Sequence, residues 1–143
     1  MSKGDTFEND LLKLIFNATA IPNLADNAGS APLTNLYVSL HTADPGESGT
    51  QDTSEASYTG YARVAVARTS GGWTVSGNAV DNTAAITFGE CTGGSNTITH
   101  FAIGVAASGA TKVLYKGALT ASLNVSAGII PQFAIGALDV TED

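Results

Sequence analysis

Beyond residue 20 of this 143-residue chain, no segment has apolar residues recurring at a helical period. After Pro32 the period is two instead: Leu36, Val38 and Leu40 alternate with Tyr37, Ser39 and His41, the mark of a half-buried strand. Further strand candidates are Tyr61–Arg68, Trp73–Val75, Ala84–Phe88, Thr97–Val105, Lys112–Leu119, Ala121–Val125 and Gln132–Val140. Gly71-Gly72, Gly77-Asn78, Gly93-Gly94, Ser108-Gly109 and Ala127-Gly128 separate them as turns. Parallel strands in one sheet need crossover connections, usually helices, and none is available. The expected fold is therefore all-β: an antiparallel β-sandwich or jelly-roll-like barrel of seven or eight short strands, preceded by a short N-terminal α-helix.

That helix is read from Phe7, Leu11, Leu14, Ile15 and Ala18, with Leu12 and Phe16 widening the stripe. Asp5 and Glu8 fit an N-cap and its capping-box partner, and Pro22 with the run Asn23–Pro32 is expected to end the helix and lead away as a loop. Residues 1–32 are thus expected to form a helix and arm, and residues 33–143 the β domain. Between the first two strands, Ala43–Gly60 carries Pro45, Gly46, Gly49 and four acids, Asp44, Glu47, Asp52 and Glu55. It is expected to be a long structureless loop, and loops of that length are uncommon unless they serve a purpose.

Composition excludes several classes. With 43% apolar residues in alternating runs, the chain is no disordered polyelectrolyte. No apolar run approaches the length of a membrane span, and Met1-Ser-Lys-Gly-Asp lacks the pattern of a secretory signal. One cysteine, Cys91, forms no internal bridge, which suits folding in a reducing cytoplasm. Only six Lys and Arg stand against thirteen Asp and Glu, for a net charge of −7. Nucleic-acid binding draws on clustered cations, so neither a nucleic acid nor an anionic membrane surface is expected as partner.

Candidate chemistry is sparse. Cys91 with His41 or His100 offers nucleophile and base types, but no Gly-x-Ser-x-Gly elbow accompanies them, and a lone Cys commonly packs as a small apolar group. The glycine runs Gly89–Gly94 and Gly104–Gly109 match neither phosphate-binding spacing. The acids of Ala43–Gly60 are hard oxygen ligands suited to calcium, but their spacing is not that of a calcium loop. Tyr58, Tyr61 and Trp73 invite a sugar-stacking reading; burial in the core is the expectation for large aromatics such as Trp73, Phe88, Phe101 and Phe133. No catalytic residue, metal ligand or cofactor is expected, and the chain is expected not to be an enzyme.

Four segments carry a resemblance: Leu36-Tyr-Val-Ser-Leu-His-Thr-Ala-Asp-Pro-Gly-Glu, Gly60-Tyr-Ala-Arg-Val-Ala-Val, Thr97-Ile-Thr-His-Phe-Ala-Ile-Gly and Leu114-Tyr-Lys-Gly-Ala-Leu. Together, over about residues 10–140, the chain resembles a family of small structural proteins of tailed bacteriophages, commonly labelled tail fibre proteins and similar to capsid cement or decoration proteins. The resemblance implies a virion component synthesised in the bacterial host cytoplasm, and the net charge of −7 is expected to place it on the outer surface of the particle, away from packaged DNA. It implies a decoration protein bridging neighbouring major capsid subunits, with a tail-tip, baseplate or short tail-fibre protein, with or without glycan-receptor binding, as the alternative. Tail or baseplate proteins would then replace the major capsid protein as partner, and a homo-oligomer is expected in either case. The contact residues expected are Leu11, Leu14 and Ile15 of the helix and Asp44, Glu47, Asp52 and Glu55 of the acidic loop.

Overall fold

A computed structural model of the chain describes residues 3–21, 24, 25 and 32–142. Among the described residues one helix, α1 (Asp5–Phe16), precedes nine strands: β1 (Asn35–His41), β2 (Val64–Ala67), β3 (Trp73–Ser76), β4 (Ala79–Asn82), β5 (Ile86–Thr87), β6 (Asn96–Gly104), β7 (Val113–Val125), β8 (Gln132–Phe133) and β9 (Asp139–Thr141). They form three sheets, ordered β2-β1-β6-β7, β3-β4-β9 and β5-β8. The all-β class with one N-terminal helix is as expected, and the β1–β6, β3–β4, β4–β9 and β6–β7 pairings are antiparallel. Two compact units divide the chain: unit 1 is Met1–Asn35, Val66–Ile86 and Phe133–Asp143, and unit 2 is Leu36–Ala65 and Thr87–Gln132.

In unit 1, α1 packs on β3 and β4. Gly4, not Asp5, is the N-cap; it is extended and makes no side-chain cap, so Asp5 and Glu8 act as acids of the first turn, where the positive end of the helix dipole favours them. The buried face is Glu8, Leu12 and Phe16, so the residues expected only to widen the stripe are its centre, and Phe7 is 40% exposed. Phe16 meets Trp73 edge to face at 4.9 Å. The helix ends at Asn17, before Pro22, and its last turn is held from outside. Arg68 donates to the carbonyl oxygens of Ile15 (2.6 Å) and Leu14 (2.7 Å), and to that of Leu33 (2.7 Å). Pro22 and most of the expected loop Asn23–Pro32 lie outside the described residues.

The β3–β4 hairpin turns at Gly77-Asn78 as expected, with Gly77 at φ +61 in the first central position of a two-residue loop, the type II′ pattern. Strand β4 itself was not expected, since Asp81 and Asn82 disfavour strand. Asn82 is wholly buried because every polar atom of its carboxamide is used: Nδ2 donates to Ala84 and Ala134 carbonyls, both at 2.8 Å, and Oδ1 accepts the Leu138 N–H at 2.9 Å. Pinned there, with Gly136 at φ +69, the segment expected to be one strand over Gln132–Val140 breaks into β8 and β9.

In unit 2, Leu36, Val38, Leu40, Ile98, Ala102, Ile103 and Val125 form the core around β1, β6 and β7. Tyr37 to His41 pair in order with Gly104 to His100. The two strands expected at Lys112–Leu119 and Ala121–Val125 are one strand, β7, with an irregularity at their junction: β6 steps from Ile98 to His100 while β7 steps from Leu123 to Ala118. Leu119 to Ser122, four residues, therefore oppose Thr99 alone, a bulge larger than the usual two against one.

Candidate interaction surface

The loop Ala43–Gly60 of unit 2 is not structureless. The Thr42 N–H donates to Ser54 O (2.8 Å) and the Ala56 N–H to Leu40 O (2.8 Å), so residues 54–56 run beside the end of β1. Gln51 is wholly buried; its side-chain amide nitrogen, Nε2, donates to Tyr37 O at 2.7 Å and Ser39 Oγ at 3.2 Å. Such an insertion needs a gap in the sheet, and Gly104 supplies it, because a Cβ there would run into the Gln51 carboxamide.

Arg63, one residue before β2, holds this arrangement together. Its Nε and Nη2 form a two-pronged ion pair with Glu55 (2.7 and 2.8 Å), while Nη1 donates to Gln51 Oε1, Ala106 O and Thr111 Oγ1, and Nη2 also reaches Gly109 O at 2.8 Å. The Arg63 side chain is 1% exposed. One guanidinium thus ties the acidic loop to the 106–111 turn. Hydrogen bonding to Glu55 raises the Arg63 pKa further above its already high value, so the charge is permanent. Tyr61 completes the cluster by donating to Glu55 Oε1 (2.8 Å) and accepting from the Leu40 N–H (3.1 Å). Burial, first, and the Glu55 contact raise its phenol pKa well above the ordinary range.

A serine and a histidine also meet here. His41 Nδ1 lies 2.9 Å from Thr53 O and Nε2 lies 2.9 Å from Ser39 Oγ. A carbonyl only accepts, so the partners assign the proton to Nδ1 and leave Nε2 to accept from the serine hydroxyl. That is the spacing of a nucleophile and its base. Both residues are wholly buried within β1, and burial holds the His41 pKa below its ordinary 6.5. A hydroxyl sealed in a sheet meets no substrate, and the pair serves to stitch the loop to the strand. Cys91 is likewise buried, its thiol directed at Gly93 and Gly94 carbonyls. His100 pairs across the sheet from His41 and contacts Thr99 Oγ1 at 2.8 Å.

The expected contact residues fall into distinct settings. In unit 1, Leu11, Leu14 and Ile15 are half-buried on α1. In unit 2, Asp44, Glu47 and Asp52 are exposed and Glu55 is turned inward onto Arg63, so only three of the four acids form an outward acidic face. Asp44 and Glu47 share the Lys116 ammonium of β7, at 3.0 and 3.3 Å. The Gly46 N–H, then Lys116, lowers the Asp44 pKa, and Asp44 in turn raises that of Lys116. Asp52 accepts from Thr50 Oγ1 at 2.5 Å. The Lys116 ammonium thus bridges the Asp44 and Glu47 carboxylates. Among the described residues, no three His, Cys, Asp or Glu side chains are grouped to hold a metal.

The aromatic residues that invited a sugar-stacking reading are committed elsewhere. Trp73 is wholly buried in unit 1. In unit 2, Tyr58 is 3% exposed and donates to Gly89 O, and Tyr61 stacks against Phe88 at 6.2 Å. A cleft of about 400 Å3 runs beside Asn96 and Asn124, but both side-chain oxygens already accept internal hydrogen bonds: Asn96 from the Ser57 and Tyr58 amides, Asn124 from Thr97. Residue spacing did not show Gln51, Arg63, Thr111 or Lys116 as parts of one arrangement. Arg63 and Lys116 lie inside the Gly60-Tyr-Ala-Arg and Leu114-Tyr-Lys-Gly segments that carried the resemblance, and that was their only signal.

Ser39, His41 and Cys91 are thus buried and held by hydrogen bonds within the chain. Among the described residues, no helix is long and apolar enough to cross a membrane. Comparison with known families gives a match over residues 2–141 to a family described as podophage GP4 fiber I protein gp80. None of the curated proteins is similar enough to match.

Proposed function

The chain belongs to the podophage GP4 fiber I protein gp80 family, and from that membership we propose that it is a fibre subunit on the outside of a phage virion. The role is structural and non-enzymatic: the subunit works by the surfaces it presents to tail or baseplate proteins and to copies of itself. The observation that carries this reading is the family match, which spans nearly the whole sequence. The interior agrees with it, since Ser39, His41 and Cys91 are sealed and the two arginines beside β2 are engaged within the chain. A net charge of −7 suits a protein that faces away from packaged nucleic acid.

Bridging of major capsid subunits is the competing placement, with the exposed acids Asp44, Glu47 and Asp52 as its contact face. Copy number separates the two. Quantitative mass spectrometry of purified virions, referenced to the major capsid protein, is expected to find a few copies to a few tens per particle. Hundreds of copies would replace the fibre reading with capsid decoration, and absence from the particle would remove both.

A further inference from the structure

Among the described residues six polar or charged side chains are buried: Glu8, Ser39, His41, Gln51, Arg63 and Asn82. Five of them make hydrogen bonds within the chain. Glu8, only 6% exposed, makes neither a side-chain hydrogen bond nor an ion pair with any described residue. A buried carboxylate left alone is costly, and native structures pair such a charge or give it a metal ion. Lys3, the nearest cation along the chain, is 2.9 Å from Glu142 instead, and Lys13 lies in the last turn of α1. The helix dipole favours negative charge at Glu8 but places no hydrogen on its oxygens.

The Glu8 oxygens are not sealed in. Among the described residues Trp73 Nε1 is the one sealed side-chain polar atom without a partner, so the Glu8 carboxylate opens onto the cleft it lines with Asp5, Gly77 and Asn78, about 290 Å3 in volume. All four residues belong to unit 1, where α1 packs on β3 and β4 and Asn9 Nδ2 donates to the Gly77 carbonyl at 2.6 Å. The side-chain and carbonyl groups left free there are oxygen acceptors. Asp5, one turn before Glu8, likewise has no side-chain partner among the described residues. Asn78 spends its Nδ2 on Glu142 O (2.9 Å), which leaves Oδ1, and the Gly77 carbonyl keeps a second lone pair. We propose that this cleft binds a divalent cation of the calcium type, held by the Glu8 and Asp5 carboxylates with Asn78 Oδ1 and the Gly77 carbonyl as neutral ligands. Calcium takes about six to eight oxygens from carboxylates, amides, backbone carbonyls and water in flexible geometry, which suits so mixed a set. Charge decides the occupant: one doubly charged ion balances both carboxylates, whereas a single basic side chain would balance one. At Asp44 and Glu47, by contrast, Lys116 already bridges the acids.

Titration calorimetry of the purified full chain with calcium chloride tests it. One ion per chain is expected, with a Kd of about 0.1–1 mM, the range of sites poor in carboxylates. At about ten times Kd the melting temperature is expected to rise by about 2–5 °C over the chelated protein. Calcium is expected to slow amide exchange in the first turn of α1 and at Gly77-Asn78, and to leave Asp44–Glu55 unchanged. Glu8→Gln keeps the shape and removes the charge; it is expected to weaken binding at least about 10-fold while leaving the calcium-free melting temperature equal or higher. A glutamate of purely structural use would lose stability on that change instead. Asp5→Asn, at an exposed position, is expected to weaken binding about 10-fold and carries the test should Glu8→Gln fail to fold, while Glu47→Gln is expected to bind as the wild type does. No heat and no melting shift up to about 10 mM calcium, binding undiminished in the folded Glu8 and Asp5 variants, or protection mapped to Asp44–Glu55 overturns the inference. The site concerns unit 1 alone and does not rest on where the subunit sits in the virion.

Discussion

Replacing Arg63 by alanine would leave the Glu55 carboxylate facing a space built for a guanidinium, with Gln51 and Thr111 stripped of their shared donor. Breaking one side of a buried ion pair typically costs about 3–5 kcal/mol, and Arg63→Ala is expected to lower stability by that amount in urea unfolding followed by circular dichroism. A loss below about 1 kcal/mol would put the pair among ordinary surface bridges. His41 makes the second residue-scale prediction. Its folded pKa lies below the unfolded value of 6.5, so the unfolded chain takes up the proton more readily. The stability this contributes is whole above pH 6.5 and is lost as the pH falls through that value toward the folded pKa. Melting temperature is expected to be lower at about pH 5.5 than at about pH 7.5, and His41→Gln to narrow that gap while lowering stability at both. An unchanged gap in the variant would show that other groups carry the acid sensitivity.

At the scale of elements, α1 depends on Arg68 as much as on its own sequence. The last carbonyls of a helix lack partners within it, and three donated hydrogen bonds from one guanidinium tie the Leu14 and Ile15 carbonyls to Leu33. Arg68→Met is expected to speed amide exchange in the last turn of α1 by about 10- to 100-fold, read by hydrogen–deuterium exchange, with β6 unaffected. Equal protection in the variant would mean that Leu12 and Phe16 hold the helix alone. The limits of sequence reading show at the same scale. Strands β1 and β6 were legible as apolar runs between turn signals, but the half-buried reading of β1 was not right, since Ser39 and His41 are buried as fully as Val38 and Leu40; the Gly77-Asn78 turn was legible because the glycine there needs positive φ. Strand β4 was hidden because Asn82 is buried by long-range hydrogen bonds that no local propensity reports. The helix face was misplaced for a related reason: Phe7 matches the helical period, yet packing on β3 selects Leu12 and Phe16. The clasp around Arg63 joins residues 51, 55, 63 and 106–111, and their separation along the chain concealed it.

At the scale of the whole molecule, charge is scarce and unevenly placed along the chain. Lys116 and Arg63 hold three acids of one loop, Asp44, Glu47 and Glu55, while no charged residue lies between Lys116 and Asp139. Family membership places the chain among phage structural proteins, and the sealed serine, histidine and cysteine fit that role. The most direct test is to image purified virions carrying a small gold-labelled tag at the C-terminus of this chain. The account predicts label confined to the tail and its fibres; label spread over the capsid shell, or absent from the particles, would contradict it.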